Sequence, residues 1–570
     1  MGPVDAENGE RRDNDAHRRA LREAMRFPAE TTRRYVASGH WQDDTLNGWL
    51  QRHAAARPEA VALLTPEGPL SFAAFADRVD GLARSFSSLG IGTGSVVAVQ
   101  LPNLAAYLVC YCAILRLGAV MTTLYLPHRK AELASQLAHS RACAYIGLAD
   151  IDGFAAARTV MDLAATLPHL RHVITVDGEE AGAKEAGAKE TGALSLDQLI
   201  AAPGGSTLPP PPAAADPMLL LFTSGTTDRP KAVPLNAHGL IGNARTSVGE
   251  HRLSDQDVIL SAAPFGHLFG LYAFHLAMAV GAATALLPAF SPPALRERLA
   301  ADSVTALFAA PAHMSACLAG GLFDNGGLDH MRLIVLSGTA IPEAVARAVA
   351  AKMPSGALAQ LWGMTETQAG LYTRPGDAID VVARSAGRPS PGTEVRVTGP
   401  DGSVLGVGEE GELEVRGPLL FPGYYDNAEA TAAAFTADGW FLSGDLATTD
   451  ADGNVAITGR KKEIIDRGGV KYNPRDIETL IEAIDGVGQA AIVPMADPTL
   501  GERACCFVVL QPGAELDLAD IQRHLSDQGV TKTRWPEALR IVDDMPMTPT
   551  RKVIKARLVA LLANDRSTGH

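Results

Sequence analysis

The chain has 570 residues, too many for a single hydrophobic core, so two or more domains are expected. Its 47% hydrophobic and 20% charged residues are those of an ordinary water-soluble protein. A formal net charge of −14 argues against a general nucleic-acid binder, which needs a basic footprint to displace counterions, but leaves room for a local basic cleft for phosphates.

Residues 1–40 are polar and charged, contain no apolar signal-peptide core, and read as an N-terminal tail with some helix. From residue 41 onward, apolar runs such as SVVAVQLP (95–102) and AYIGL (144–148) alternate with alanine-rich helical stretches. That alternation predicts an α/β fold with buried sheets. AGAKEAGAKE (181–190) is a tandem repeat too short for a solenoid unit, and with PGGSTLPPPP (203–212) it reads as a surface insertion and a stiff linker. Residues 268–290 carry no formal charge and are long enough to span a bilayer. Gly270, His275, Gly281 and Pro288 interrupt them, so they read as a buried helix followed by a buried strand. DADGN (450–454) reads as a hairpin turn. Beyond Glu463, helix-like IETLIEAI (477–484), strand-like AAIVPM (490–495) and CCFVVL (505–510), a further helix and a basic tail suit a small α+β domain.

The six cysteines, Cys110, Cys112, Cys143, Cys317, Cys505 and Cys506, form no CxxC pair and no cluster at zinc spacing. They read as small apolar residues in a reducing cytosol.

Residues 219–233 read LLLFTSGTTDRPKAV. An apolar strand delivers Thr223, Ser224, Gly225, Thr226 and Thr227, a loop of hydroxyls and backbone N–H groups of the kind that binds phosphate oxygens. Lys231 adds a positive charge beside it. The loop lacks the GxxxxGK[ST] pattern of a Walker loop. Its full string resembles the signature loop of the adenylate-forming superfamily: acyl-CoA synthetases, peptide-synthetase adenylation domains and firefly luciferase. Asp228 and Ala232 stand where that family usually has glycine, and the Asp228 carboxylate is repulsive toward a triphosphate.

Further strings resemble the family's other signatures in the expected order over residues 45–560. Ser337, Gly338, Thr339 and Ala340 resemble the segment bordering adenine and the acyl pocket. Trp362, Gly363, Met364, Thr365 and Glu366 resemble its aromatic-Gly-x-Thr-Glu motif. That likeness implies an aromatic ring for adenine, Thr365 for the α-phosphate and Glu366 for Mg²⁺, a hard cation that takes oxygen ligands. Asp445 matches the carboxylate that grips the ribose hydroxyls, Arg460 a second ribose contact, and Lys462 the hinge between domains. Gly468 and Gly469 match a loop lining the tunnel for the thiol substrate. Lys552 in MPMTPTRKVIK (545–555) matches the catalytic lysine, with Arg551 in place of the usual glycine and Lys555 as the nearest rival. Residues 406–411 fit GxGxxG, but strand-like ELEVRGP follows instead of a helix, so the dinucleotide reading fails.

The resemblance implies a large multi-sheet adenylation domain over residues 41–461 and a small mobile α+β domain over 462–570. It implies ATP, Mg²⁺ and a thiol, coenzyme A or a carrier protein's phosphopantetheine, with a small carboxylic acid as substrate. Cytoplasmic location, no membrane or nucleic-acid partner, and the homodimer common among such enzymes are further expectations. His267 and Leu268 match the acyl-pocket border. The string RRYVASGHWQDD (33–44) resembles dihydroxybenzoate-activating ligases, whose ring-binding Asn is replaced here by Leu268. That favours an apolar aryl or medium-chain acid. The expected activity is acid–CoA ligation. The alternatives are an aryl acid–AMP ligase serving a separate carrier protein, and an adenylating enzyme whose acceptor is a nitrogen nucleophile or another non-thiol.

Overall fold

The computed structural model describes residues 16–17, 19–176, 192–223, 231–324, 326–468, 470–548 and 552–567. The tandem repeat at 181–190 and the residues Ser224, Gly225, Thr226, Thr227, Asp228, Gly469 and Arg551 lie outside them.

Two sheets build the large domain. The first runs in the order Leu194–Ser195, His172–Val176, Ala144–Leu148, Val96–Gln100, Val120–Thr123, Pro217–Thr223 and Lys231–Asn236, parallel until the last pair, which is an antiparallel hairpin. The second runs Arg388–Pro389, Gln368–Tyr372, Ala357–Met364, Leu333–Ser337, Ala306–Ala309, Val258–Ser261, Ala283–Ala285, Val61–Thr65 and Gly68–Ser71. It is parallel from Ala357–Met364 through Val61–Thr65 and antiparallel at both edges.

Parallel strands need crossover helices, and those helices bury both sheet faces, which is why the strands read as unbroken apolar runs. The two-residue period shows in the packing. Leu219 and Leu221 join the core between the sheets, while Leu220 and Phe222 join the core on the outer face. The uncharged stretch folds into helix Leu268–Val280 and strand Ala283–Ala285, with Gly281 in the left-handed region (φ 72°) ending the helix. No helix among the described residues is long and apolar enough to cross a membrane.

A four-stranded antiparallel sheet, Glu394–Thr398, Gly411–Arg416, Phe441–Thr449 and Val455–Arg460, completes the large domain. The DADGN turn closes its last hairpin, Asp450 N donating to Asn454 O at 3.0 Å. The GxGxxG string runs directly into the strand Gly411–Arg416.

The smaller C-terminal domain has strands Val470–Tyr472, Ile465–Arg467, Gly501–Leu510 and Val487–Asp497 in that order, with Ala538–Ile541 pairing Gly501–Leu510. Helices Pro474–Glu482 and Leu518–Asp527 cover one face through Ile477, Ile481, Ile521 and Leu525. Leu558 and Leu562 of Lys555–Ser567 cover the other, so Cys506 faces one core and Cys505 the other. All six cysteines are buried and unpaired.

From Leu21 the N-terminal segment packs onto the large domain. Helix Ala29–Ala37 places Arg34 2.5 Å from Glu394, and Trp41 donates from Nε1 to Pro418 O at 2.9 Å while stacking on His238. Leu208, in the proline-rich stretch, also packs on the core, and Arg116 Nη1 donates to Pro209 O at 2.8 Å.

Candidate active site

A cavity of about 870 Å³ opens where the two main sheets, the four-stranded sheet and the small domain meet. The strand Ala357–Met364 turns back on Gln368–Tyr372 through Thr365, Glu366 and Thr367, with Met364 N donating to Thr367 Oγ1 at 3.1 Å. Gly363 is required there, because a Cβ would collide with the carbonyl oxygen of Gln368. The turn leaves Thr365 and Glu366 in the cavity wall. Glu366 is 7% exposed; Tyr424 Oη donates to its Oε1 at 2.9 Å, and the ammonium of Lys231 lies 4.7 Å from the Tyr424 ring centre. Burial holds the Glu366 carboxyl above the usual range, against the pull of the Tyr424 hydrogen bond and the Lys231 charge.

Asp445 and Arg460 face each other across adjacent strands, Oδ1 to Nε at 2.5 Å. The second oxygen of Asp445 accepts from Trp362 Nε1 at 2.7 Å. The strand motif and the aromatic motif are thus tied directly together. Asp445 is 2% exposed, and burial raises its carboxyl while Arg460 and Trp362 oppose the rise.

Lys552 enters from the small domain. Thr548 N donates to Lys552 O at 2.7 Å and Lys552 N to Thr548 Oγ1 at 3.0 Å, closing a tight loop that aims the side chain into the cavity. Burial and then the Arg460 charge depress its ammonium below the ordinary lysine range; Asp445 and Glu366 pull the other way. Lys555, the rival, is tied to Glu463 Oε2 at 2.9 Å and Glu478 Oε1 at 2.7 Å and does not line the cavity.

The structure therefore brings together Thr223, Lys231, His267, Leu268, Ser337, Gly338, Gly363, Met364, Thr365, Glu366, Arg460, Lys462 and Lys552 around one cavity. Trp362 and Asp445 stand behind Gly363 and Gly444 of its wall, held by their contacts with each other and with Arg460. Thr339 and Ala340 are exposed outside the wall. Gly468 (φ 60°) turns a small-domain hairpin away from it, its N–H donating to Leu500 O at 2.8 Å. Tyr424, Arg557 and Asn243 line the cavity and were not among the expected residues. Tyr424 sits in an aromatic run (FPGYY, 421–425) that reads as core, and nothing local distinguishes Asn243 from any helix-face polar residue.

Among the described residues no cluster of three His, Cys, Asp or Glu side chains could hold a metal by itself. Glu366, a buried carboxylate beside Lys231, fits a divalent cation whose remaining ligands are phosphate oxygens and water.

Residues 50–425 match the family model described as AMP-binding enzyme, and residues 476–552 match the AMP-binding enzyme C-terminal domain. The chain belongs to the AMP-binding enzyme family. It is 33% identical over 542 residues, 94% of this chain and 96% of the relative, to the 2-hydroxy-7-methoxy-5-methyl-1-naphthoate–CoA ligase of Streptomyces carzinostaticus. It is 34% identical over 547 residues, 94% of each chain, to the salicyl-AMP ligase / salicyl-S-ArCP synthetase of Mycobacterium tuberculosis. Among solved structures, ATP-bound MatB from Rhodopseudomonas palustris superimposes with a TM-score of 0.80 at 27% identity, covering 91% of this chain and 99% of that one. As an AMP-binding enzyme the chain has the large multi-sheet domain and the smaller C-terminal domain that the sequence led one to expect.

Proposed function

We propose that this AMP-binding enzyme activates a carboxylic acid with ATP as an acyl-adenylate and passes the acyl group to the thiol of coenzyme A. The observation that carries the reading is Lys552, delivered by the small domain into the same cavity as Glu366, Arg460 and His267. A substrate carboxylate oxygen attacks the α-phosphorus of ATP and pyrophosphate leaves. Such a transfer depends mainly on alignment and on neutralising oxygen charge. Lys552 neutralises charge between carboxylate and α-phosphate, Lys231 the outer phosphates, and the Asp445–Arg460 pair holds the ribose. Thr365 donates to the α-phosphate. Glu366 would hold Mg²⁺, which when bound would supply positive charge to offset that of the phosphates.

The thiol step calls for a second arrangement in which Lys552 gives way beside the adenylate. We assign the exchange to rotation of residues 462–570 about Lys462, which withdraws Lys552 and brings the loop at Gly468 and Gly469 to the site. The turn Lys461–Glu463 joins the domains, with Lys461 Nζ 2.6 Å from Glu412 Oε2 of the large domain.

The test is pyrophosphate release from ATP with a panel of aryl and medium-chain acids, with and without coenzyme A. The expected result is acid-dependent release and a coenzyme A thioester product. Adenylate that accumulates until a phosphopantetheinylated carrier protein is added would move the acceptor to that carrier, and turnover with neither thiol would overturn the thiol assignment.

A further inference from the structure

Two helices close the acyl end of the cavity. Ala237–Glu250 presents Leu240 and Asn243, and Leu268–Val280 presents Leu268, Tyr272 and His275 at successive turns. His267 caps the second helix beside Lys552, whose charge adds to burial in depressing its imidazole to about 4. His275 lies about seven residues along that helix from Leu268, roughly 10 Å at 1.5 Å per residue, so it marks the end of the cavity remote from Lys552.

Between these ends the lining is apolar: Phe222, Leu240, Leu268, Phe269, Leu361 and Ala369. Leu268 offers no hydrogen bond near the carboxylate end. Two polar groups interrupt that lining. Asn243 is 2% exposed, and its Oδ1 accepts from Ser247 Oγ at 3.1 Å, which fixes the amide with Nδ2 on the other side. Ser247 is itself 3.4 Å from Tyr372 Oη, so the anchor is held in turn. Among the described residues Nδ2 has no acceptor in the protein, although Asn243 lines the cavity. His275 is arranged alike. Its Nε2 lies 2.9 Å from Tyr111 Oη, while Nδ1 has no protein partner among the described residues. A polar atom that faces the cavity without a protein partner is left for a ligand to satisfy, and a pocket built that way discriminates against ligands lacking the matching atom.

We infer that Asn243, in the wall of the same cavity as His275, recognises a hydrogen-bonding oxygen on the acid other than its carboxylate, so that the substrate is a hydroxy- or alkoxy-substituted aryl acid rather than an unsubstituted aryl or fatty acid. This rests on the acid-activating reading above.

The experiment compares kcat/KM for pyrophosphate release with matched acids, 4-methoxybenzoate against benzoate and 6-methoxy-2-naphthoate against 2-naphthoate, in the full-length protein. In at least one pair the methoxy acid is expected to lead by about ten- to a hundredfold, the range for satisfying one buried polar group. Asn243→Leu and Asn243→Ala are each expected to bring that ratio close to one. A purely structural Asn243 would lower both acids of a pair together and leave the ratio standing, which overturns the inference even if a variant is partly unfolded. Equal use of both acids in every pair by the unaltered protein overturns it too. Pyrophosphate from no acid at all, in protein that binds ATP, removes the acid-activating reading itself and is told apart because no ratio can then be formed.

Discussion

The two ends of the cavity are made by opposite means. At the end assigned to the nucleotide Lys231, Glu366, Asp445, Arg460 and Lys552 come from separate segments of the chain, sit on strand ends and tight turns, and sense one another's charge. At the end assigned to the acid the lining comes from the faces of two packed helices, and its imidazoles, His267 and His275, are kept neutral chiefly by burial, His275 pushed down to about 3. Charge positioned on short, stiff turns suits one phosphate-transfer step whatever the acid. A helix face can change its ligand by a single substitution without disturbing that step. If the division is real, mutations at the two ends will have separable effects.

The largest expected effect breaks the nucleotide end. Lys552→Ala should lower acyl-adenylate formation by about 10²–10³-fold, the usual scale for removing a preorganised charge from a transition state. The same protein should still convert a supplied acyl-adenylate and coenzyme A to thioester, since the proposed rotation withdraws Lys552 for that step. Equal loss in both half-reactions, measured on folded protein, would remove Lys552 from the role. Lys555→Ala serves as the contrast, because Lys555 is bound to Glu463 and Glu478 outside the cavity and its loss should act on stability.

A smaller effect sharpens the same end. Tyr424 Oη is the hydrogen-bond donor to Glu366, and it restrains the rise in that carboxyl's affinity for protons. Tyr424→Phe keeps the ring under Lys231 and removes only the hydroxyl. Loss of such a supporting hydrogen bond typically weakens metal binding about ten- to a hundredfold. The Mg²⁺ concentration for half-maximal pyrophosphate release should therefore rise by about ten-fold with little change in the KM for the acid. An unchanged Mg²⁺ requirement would separate Glu366 from the metal.

The same contrast decides what was legible beforehand. Asp445, Arg460, Glu366 and Lys552 stood out because each lies in a short string whose backbone turn and functional side chain are adjacent in sequence. The parallel sheets were legible because strands buried on both faces are continuous apolar runs. Trp362 was expected at the adenine, and the structure adds its indole N–H bound to Asp445, a contact between residues 83 apart that no string could reveal. Tyr424, Asn243 and the partnership of Tyr111 with His275 were illegible for the same reason, since their meaning lies in which helix or turn packs opposite. The N-terminal segment looked like a tail because its charges dominate; yet Leu21, Met25, Tyr35 and Trp41, spaced among those charges, are the residues it buries.

The smallest effect belongs to the acyl end and is read as stability. His251 lies beneath the pocket, 1% exposed, with Nε2 3.3 Å from Tyr272 Oη and its ring against Tyr372. Burial, and then the Arg374 charge, depress its imidazole from the usual 6.5 to about 4. A histidine depressed in the folded state takes up its proton first in the unfolded chain. Stability is therefore intact above about pH 6.5 and declines as pH falls from there toward about 4. The slope from one such group is at most about 1.4 kcal/mol per pH unit. His267 and His275 add to the decline with the same sign. His251→Gln should be less stable at pH 7, where its amide replaces the imidazole imperfectly, but its denaturant midpoint should fall less steeply between pH 6.5 and 4.5 than that of the unaltered protein. Parallel curves over that interval would mean that His251 is protonated in the folded state, and the acyl end would then carry charge, erasing its contrast with the nucleotide end.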